Sequence, residues 1–587
     1  MEAPESRSKT QTGSVKKRVK GAEAVILSLL EEGVNQIFGY PGGSIMPVYD
    51  SLMNYEKSLN HLLVRHEQGA VHAAQGYARA SGETGVVMAT SGPGATNLMT
   101  GISDANIDST PLVCITGQVP DTLLGTDGFQ EVDIIGVSAP VTKWNFQITK
   151  PEEIPGAIAK AFYIARSGRP GPVLIDLTKN AQFGELDFHY EKCNEIRSYK
   201  PVPDIEMDQI EQAAELIDNS EKPMALIGQG VILGQAEKEL KDFLDKTGIP
   251  AASTLLGLSA IPNDYPNYVG WLGMHGNYAP NVLTNEADLL ISIGMRFDDR
   301  VTGKLSTYGK NARIIHMDID PAEIDKNVKV DVPILGDVKK TLPYLTEQVK
   351  ENAFPEWIRQ FREYEQEEYD KILKEHYDKY HKHIRMTDVI LELNEKGKEP
   401  LLVTDVGQHQ MIACRYFHFT HPRSLITSGG LGTMGFGLPA ALGAQIGTPN
   451  RQVVAVVGDG GFQMTMQELG TIAQSNIPLK IIILNNSYLG MVRQWQQLFF
   501  KKRYASTPIT SPNYMKIAEG YGLNASRITQ LSEVPEALDA MFATEGPYLL
   551  EVVVEKEDNV FPMIAPGTSV SDIMLGPSKE SENENES

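Results

Sequence analysis

The sequence has few cysteines, no long apolar run and a deficit of positive charge, and each of these features excludes a class of protein. Its three cysteines, Cys114, Cys193 and Cys414, lie too far apart for a zinc motif or a disulfide framework, so we expect reduced, mostly buried thiols. No run of 18 apolar residues is present, which argues against a membrane-spanning helix. Lysine and arginine number 53 against 75 aspartates and glutamates, a formal net charge of −22. Nucleic-acid binding is therefore not expected, because an acid-rich surface repels phosphate backbones.

The two ends of the chain differ in composition from the rest. Four basic residues lie between positions 16 and 20, as in a transit peptide, but Glu2 and Glu5 are untypical of one and no apolar signal stretch precedes them. We therefore predict a disordered tail over residues 1–19 and a cytoplasmic protein. Residues 561–587 are predicted to form a lid segment followed by a disordered acidic tail, since glutamate, serine and asparagine dominate beyond Ser578.

Between these ends the chain divides into three blocks in which apolar runs alternate with helical patterns. The blocks cover residues 20–189, 208–346 and 385–560; a proline-marked linker, 190–207, follows the first block and a charged helical connector, 347–384, follows the second. This alternation is typical of parallel sheets covered by helices. The predicted fold class is therefore α/β, with three doubly wound parallel-sheet domains.

The most informative segment is Gly458-Asp-Gly-Gly461, which follows the buried-type strand Gln452-Val-Val-Ala-Val-Val457. A helical stretch and a second apolar run then lead to Asn485-Asn486, with 24 residues (461–484) between the Gly-Asp-Gly and Asn-Asn pieces. In a strand–helix–strand crossover both strands are parallel, so Asp459 and Asn486 should lie at the same edge of one sheet. Carboxylate and amide oxygens suit Mg²⁺ or Ca²⁺, and the glycines allow phosphates close to the backbone. The alternative for Gly-Asp-Gly alone is an ordinary glycine-rich turn.

This pair of motifs resembles the thiamine diphosphate enzymes. The resemblance implies Mg²⁺ bound by Asp459, the Asn486 side chain and the Tyr488 backbone carbonyl, with the metal clamping the diphosphate. It also implies that Glu67, in Arg65-His-Glu67, holds the aminopyrimidine of the cofactor, and that Met434 is an apolar wedge that bends the cofactor. A plain helix-start glutamate and an ordinary core methionine are the alternatives for those two residues. The implied contacts of thiamine diphosphate are Glu67, Val406, Gln408, His409, Gly432, Met434, Gly458, Gly460, Gly461, Asn486 and Met491.

Further motifs narrow the resemblance to the acetolactate synthase (acetohydroxyacid synthase) family, and they extend from Lys20 to about Met574. They are Tyr40-Pro-Gly-Gly43, Gly92-Pro-Gly-Ala-Thr-Asn97, Phe129-Gln-Glu131, Gly168-Arg-Pro-Gly-Pro172, Phe297-Asp-Asp-Arg-Val-Thr-Gly-Lys304 and Leu489-Gly-Met-Val-Arg-Gln-Trp495. The family is one of transferases in the biosynthesis of valine, isoleucine and the other branched-chain amino acids. The implied reaction decarboxylates pyruvate on thiamine diphosphate and transfers the hydroxyethyl unit to a second pyruvate or to 2-ketobutyrate, giving 2-acetolactate or 2-aceto-2-hydroxybutyrate.

The resemblance also assigns residues to the substrates. Arg300 would bind the acceptor carboxylate, for which a guanidinium is suited, and Trp495 would shape a pocket that favours the larger 2-ketobutyrate. Gly43, Gln130 and Lys179, together with Glu67, match catalytic positions of the family. A surface salt bridge for Arg300 and a core position for Trp495 are the alternatives.

The middle block resembles the FAD-binding form of these enzymes, in which a non-redox flavin would be structural. The implied contacts of FAD are Arg169, Gly228, Gly230, Met274, His275, Gly294, Arg296, Asp318, Ile319 and Asp337. Acidic residues after strands can bind ribose hydroxyls, although Gly-x-Gly alone is a weak signal.

Three other interpretations stay open at this point. Pyruvate oxidase shares the fold and the cofactors, glyoxylate carboligase lacks the glutamate present here as Glu67, and a catalytically dead relative would only bind the cofactor or a partner. In the family Glu67 and Asp459 face each other across a subunit interface, which implies a homodimer or a tetramer. A small regulatory subunit is a further possible partner.

Overall fold

The computed structural model describes residues 17–377 and 381–577. No helix within those ranges is long and apolar enough to cross a membrane. The predicted acidic tail from residue 578 onward lies outside the described residues, as do residues 1–16.

The first domain contains a six-stranded parallel sheet of order β3-β2-β4-β5-β7-β6. The first and last strands of the domain, β1 and β8, form a separate two-stranded antiparallel sheet. The strands are β1 (Lys17–Lys20), β2 (Gln36–Gly39), β3 (Asn60–Leu63), β4 (Gly85–Ala89), β5 (Leu112–Gln118), β6 (Trp144–Ile148), β7 (Pro172–Thr178) and β8 (Glu185–Phe188). Its helices are α1 (Gly21–Glu31), α2 (Met46–Leu52), α3 (Glu67–Ser81), α4 (Pro93–Thr96), α5 (Met99–Ile107), α6 (Ile134–Ser138), α7 (Ile154–Arg166) and α8 (Lys179–Phe183).

The central domain contains a second six-stranded parallel sheet, of order β11-β10-β9-β12-β13-β14. The strands are β9 (Pro223–Ile227), β10 (Ala251–Ser253), β11 (Tyr268–Trp271), β12 (Leu289–Ile293), β13 (Arg313–Asp318) and β14 (Val332–Leu335). The helices are α9 (Met207–Asp218), α10 (Gln229–Leu233), α11 (Glu237–Thr247), α12 (Tyr278–Thr284), α13 (Asp299–Thr302) and α14 (Val338–Gln348). The connector that follows is helical, with α15 (Pro355–Glu368), a π-helical turn (Tyr369–Leu373) and α16 (Lys374–Tyr377).

The third domain contains a parallel sheet of order β16-β15-β17-β18-β20-β19. The strands are β15 (Leu401–Thr404), β16 (Leu425–Ile426), β17 (Val453–Gly458), β18 (Lys480–Asn485), β19 (Asn524–Ile528) and β20 (Tyr548–Val553). The helices are α17 (Met386–Lys396), α18 (Gln408–Tyr416), α19 (Gly437–Gly447), α20 (Asp459–Thr465), α21 (Leu469–Ser475), α22 (Gly490–Phe499), α23 (Tyr514–Gly520) and α24 (Val534–Ala543).

The mostly apolar composition of the central strands explains why they form. Every residue of β12 and of β17 is buried, as expected for strands that helices cover on both faces. The prediction of an α/β protein with three parallel-sheet domains is confirmed.

The predicted disordered tail is wrong for residues 17–19. They belong to β1, which pairs antiparallel with β8, and Val19 in the middle of this strand is only 4% exposed. Charged residues surround that single buried valine, so the alternation is too short to be recognised in the sequence.

One hydrophobic core joins the first domain to the third. Helices α3 and α19 cross so closely that a Cβ added at Gly76 would lie 1.8 Å from the Ala440 carbonyl oxygen, and a Cβ added at Gly443 would lie 1.8 Å from that of Ala73. This crossing fixes the relative position of the two domains, because only glycine allows the backbones to approach so far.

The chain after β20 returns to the central domain. Ile564 and Val570 are buried in the central core, and the Ile564 N–H donates to the Met274 carbonyl at 2.8 Å. Residues 561–574 therefore lie against the loop between β11 and α12; their action as a lid stays a prediction.

Candidate active site

The site in the third domain lies at the carboxyl edge of its sheet. Asp459 follows β17 and Asn486 follows β18, and these two strands are adjacent and parallel. Asp459 is 1% exposed and Asn486 is 4% exposed. The Asp459 Oδ2 atom accepts hydrogen bonds from the Ser487 N–H, at 3.1 Å, and from the Ser511 hydroxyl, at 3.0 Å. These two bonds hold the carboxylate in one orientation at the strand end.

The electrostatics of this position suit a cation. Burial raises the pKa of the Asp459 carboxyl to about 6, because the charged form loses its hydration. The Asn486 Oδ1 atom accepts the Tyr488 N–H at 3.1 Å and its Nδ2 donates to Gln408 at 3.3 Å, which orients the amide. A buried carboxylate beside an oriented amide oxygen forms a hard-oxygen donor set, which fits Mg²⁺ better than zinc.

Around this pair the chain forms a small cleft of about 50 Å³. Nearly all the residues that the sequence predicted to contact the cofactor or the metal line it. They are Val406, Gln408, His409, Met434, Gly458, Asp459, Gly460, Gly461, Asn486, Tyr488 and Met491. Gly432 lines the neighbouring larger cavity, and Val406, Met434 and Met491 line both spaces, so the two spaces adjoin.

The larger cavity has a volume of about 960 Å³ and lies beside the carboxyl edge of the central sheet. The ten residues predicted to contact a flavin all line it: Arg169, Gly228, Gly230, Met274, His275, Gly294, Arg296, Asp318, Ile319 and Asp337. Gly228 and Gly294 directly follow the adjacent strands β9 and β12, and the strand order reverses direction between these two strands. A sheet with this order binds dinucleotides at that point.

The two predicted substrate residues belong to the larger cavity, which adjoins the cleft. Arg300 and Trp495 both line the larger cavity. The Arg300 side chain is 61% exposed, and its guanidinium contacts the Met274 sulfur at 3.7 Å. Trp495 lies on α22, one turn before Phe499, and the two rings meet edge to face. The exposed Arg300 guanidinium and the apolar ring of Trp495 therefore line the same cavity.

The four predicted catalytic residues occupy the carboxyl edge of the first sheet. Glu67 begins α3 after β3, and its Oε2 atom accepts a hydrogen bond from the Asn97 amide at 3.0 Å. Gly43 follows β2, Lys179 follows β7, and Gln130 lies in the connection after β5 with its backbone against Gly92. None of the four lines the cleft or the larger cavity of the described chain. The structure therefore groups the predicted residues in two sets: the four catalytic residues lie at the edge of the first sheet, and the others, including Arg169 of the first domain, line the two adjoining spaces.

Two buried carboxylates of the site were missed by the sequence analysis. Asp405 accepts the N–H groups of Val406, Gly435 and Gly437 at 2.7–3.0 Å, and burial raises its pKa to about 6. Glu468 is fully buried and accepts the N–H of Arg65, at 3.0 Å, just before Glu67. Asp405 directly follows β15, so the strand-end signal that located Asp459 could have located it as well. No local signal points to Glu468.

Fold and site together define a three-domain thiamine pyrophosphate enzyme. Three family models match the chain: the thiamine pyrophosphate enzyme N-terminal TPP binding domain over residues 19–137, the central domain over 210–345, and the C-terminal TPP binding domain over 405–552.

Comparison with whole proteins identifies the family within this class. The chain is 47% identical to the acetolactate synthase isozyme 2 large subunit of Escherichia coli K12, over 95% of this chain and 99% of that protein. It is 45% identical to the acetolactate synthase large subunit of Corynebacterium glutamicum, over 95% and 90% of the two chains. It is 46% identical to the probable acetolactate synthase large subunit of Methanocaldococcus jannaschii, over 95% of each. The chain belongs to the acetolactate synthase large-subunit family.

Proposed function

We propose that this protein condenses two 2-keto acids. Pyruvate loses CO₂, and the remaining two-carbon unit is joined to a second pyruvate or to 2-ketobutyrate, which gives 2-acetolactate or 2-aceto-2-hydroxybutyrate. The observation that carries the proposal is that the small cleft and the larger cavity adjoin. The cleft lined by Asp459 and Asn486 shares Val406, Met434 and Met491 with the cavity that Arg300 and Trp495 line, so a cofactor in the cleft would lie beside an acceptor in the cavity.

The residues at the carboxyl edge of the third sheet hold the cofactor and its metal. Thiamine diphosphate, when bound, supplies the nucleophilic carbon that takes up pyruvate and accepts the electrons released with CO₂. Asp459, the Asn486 amide and the Tyr488 carbonyl would hold Mg²⁺ against the diphosphate. Met434 and Met491 supply apolar walls, and a low dielectric favours the loss of a charged carboxylate as neutral CO₂.

Glu67 would hold a proton at the pyrimidine of the cofactor. Its carboxylate is only partly buried and bonds to the Asn97 amide, which leaves oxygen lone pairs for a further partner. Since Glu67 does not line the cleft of its own chain, we propose that it serves the cleft of a second copy, in a homodimer or in a tetramer built from such dimers. Gly43, Gln130 and Lys179 share its sheet edge and would approach the same site. A regulatory subunit is a further partner consistent with the large-subunit family.

Arg300 and Trp495 would select the acceptor. A guanidinium binds a carboxylate through two parallel hydrogen bonds. The exposed Arg300 side chain lines the cavity, and its Nε atom lies 3.8 Å from the exposed Asp299 carboxylate, a pairing that an acceptor carboxylate would have to replace or share. The indole of Trp495 would contact the extra methyl group of 2-ketobutyrate. Burial of one methyl or methylene group is worth about 0.8 kcal/mol, or about fourfold in preference.

The larger cavity would hold FAD without a redox role. Its volume is adequate for a cofactor, and the central sheet has the strand order of dinucleotide-binding folds. Asp318 is the last residue of β13 and Asp337 follows β14, and acidic side chains at strand ends can bind ribose hydroxyls. The proposed reaction neither gains nor loses electrons overall, so the flavin would support the wall that carries Arg300.

The test is incubation of the purified protein with pyruvate, thiamine diphosphate and Mg²⁺. We expect acetolactate in the absence of an electron acceptor. Acetate formed only when an acceptor is present would replace the proposal with a pyruvate oxidase. Binding of thiamine diphosphate without any product would indicate a binding protein.

A Glu67→Gln variant tests the role of the first domain. We expect turnover to fall by about 10²-fold or more, the usual contribution of a positioned acid or base. Glu237→Gln is the matched control, because Glu237 is also the first residue of a helix, α11, and is also partly buried. Equal activities of the two variants would refute the role of Glu67.

A further inference from the structure

Residues 428–434 form a segment at which all three domains meet. The segment follows β16 in the third domain and ends at Met434. Six of its seven residues line the larger cavity, and Met434 also lines the cleft. A Cβ added at Gly430 would lie 2.0 Å from Ile107 of the first domain, and one added at Gly429 would lie 2.6 Å from Leu256 of the central domain. The segment is therefore closely held on both sides.

Two aspartates of the first domain bond to this segment. Asp108, which caps the C-terminus of α5, accepts the N–H of Gly429 at 2.9 Å and that of Gly430 at 2.7 Å. Asp104, on α5 itself, accepts the hydroxyl of Thr433 at 2.7 Å and also that of Ser428. The bonds reach both ends of the segment, immediately before Met434, from a domain more than 300 residues away in the chain.

Burying these two carboxylates costs free energy, which argues that they have a role beyond folding. Asp104 and Asp108 are 0% and 1% exposed, and within residues 17–377 and 381–577 the only cation that pairs with either is Arg79, which lies 3.4 Å from Asp108 and donates to the Thr427 carbonyl at 2.8 Å. Buried carboxylates lose much hydration energy, which neutral side chains would not lose. Bonds from a carboxylate to successive backbone N–H groups hold a loop more firmly than bonds from a neutral acceptor.

The other side of Met434 is held in the same way. Asp405 of the third domain accepts the N–H groups of Gly435 and Gly437, at 3.0 and 2.9 Å. Hydrogen bonds to buried carboxylates thus flank Met434 on both sides, from the first domain before it and from the third domain after it.

We propose that Asp104 and Asp108 are positioning residues: they fix residues 428–434 against the first domain and so set the depth of Met434 in the cofactor cleft. The proposal rests on the proposed function for the cleft as a thiamine diphosphate site. The first domain thereby acts on the cofactor site of its own chain through a loop, in addition to any contact that Glu67 makes.

The experiment compares Asp108→Asn with the full-length wild type. An asparagine has the same size as an aspartate, but its amide NH₂ group replaces one of the two acceptor oxygens. That NH₂ group would face a backbone N–H and could not accept its hydrogen bond. Asp288→Asn is the matched control, because Asp288 also accepts two successive N–H groups, of Glu221 and Lys222 at 2.7 and 3.0 Å, but lines neither space. Thiamine diphosphate binding is measured by calorimetry, and the environment of the bound cofactor by near-ultraviolet circular dichroism.

We expect the dissociation constant for thiamine diphosphate to rise about tenfold in Asp108→Asn and the dichroism of the bound cofactor to change, because one charge-assisted bond is lost. Asp288→Asn should match the wild type in both measurements. A second variant, Gly430→Ala, should reproduce the effect of Asp108→Asn, since its Cβ would push the segment away from Ile107. If Asp108→Asn does not fold, Gly430→Ala by itself tests the proposal.

Two outcomes overturn the proposal. One is binding and dichroism in Asp108→Asn and Gly430→Ala that equal those of Asp288→Asn. The other is an equal weakening in all three variants, which would indicate a general loss of stability. Because these measurements need no turnover, a wild type that binds thiamine diphosphate but makes no acetolactate would refute the proposed reaction and leave the positioning role intact.

Discussion

The crossing of α3 and α19 yields the most direct structural prediction. A Gly76→Ala variant would place a Cβ 1.8 Å from the Ala440 carbonyl oxygen, whereas carbon and carbonyl oxygen normally stay about 3.3 Å apart. The helices would have to separate by about 1.5 Å, or shift along each other, to relieve the contact. Since this crossing joins the cores of the first and third domains, the whole interface would be disturbed.

The expected change in the free energy of unfolding of Gly76→Ala is the difference between two opposed effects. Alanine favours a helix over glycine by about 1 kcal/mol, which would stabilise the variant. Overpacking a rigid core costs about 1–3 kcal/mol and more where backbone must move, and here the obstacle is backbone. We therefore expect a net loss of about 2 kcal/mol or more, which lowers the apparent melting temperature by at least about 4 °C for domains of this size.

Scanning calorimetry at a fixed heating rate checks this expectation. Gly156→Ala is the control, because Gly156 is exposed in α7 of the first domain and an added Cβ would meet nothing within 4 Å. That variant should gain up to about 1 kcal/mol from helix propensity alone. Equal melting temperatures for Gly76→Ala and Gly156→Ala would refute the close crossing.

Three further variants test the connector, the acceptor pocket and a buried acid. Glu368→Gln should lower the urea midpoint by the equivalent of about 3–5 kcal/mol, because it leaves the buried Arg415 without its anionic partner; an unchanged midpoint contradicts this. Trp495→Leu should shift products from mixed keto acids toward acetolactate, and a constant product ratio would count against its role in the pocket. Asp176→Asn should change how stability depends on pH between pH 4 and pH 7, and parallel curves for variant and wild type would disprove this.

The direction in which Asp176 makes stability depend on pH follows from the burial of its carboxyl group. Burial raises the pKa of its carboxyl to about 6 in the folded protein, despite hydrogen bonds from the Thr116 hydroxyl and the Gln118 and Gln147 amides. The unfolded pKa is about 3.9, so the protonated form is favoured on folding. This stability is fully present below about pH 4 and is lost as the pH rises through 6. Relative to Asp176→Asn, the wild type should lose about 2 kcal/mol between pH 4 and pH 7, measured as urea midpoints.

Local patterns in the sequence were sufficient to predict the central strands and the polar residues at their ends. Mostly apolar runs such as β12 and β17 indicate burial on both faces of the sheet, and a polar residue at the end of such a run is expected at an edge of the sheet. For this reason the strand-end positions of Asp459, Asn486, Asp318 and Asp337 could be predicted from the sequence. The alternation of the three blocks predicted the α/β class in the same way.

Only the tertiary structure decided which of these strand ends share a site. Periodicity reports how buried an element is but not which element is its neighbour, and so the reversal of strand order between β9 and β12 has no sequence signature. Glu468 and Arg65 are 403 residues apart, and Asp108 and Gly429 are 321 apart, yet both pairs are hydrogen-bonded. Such contacts depend on how domains pack, because a buried carboxylate is stable only where a distant part of the chain brings donors to it.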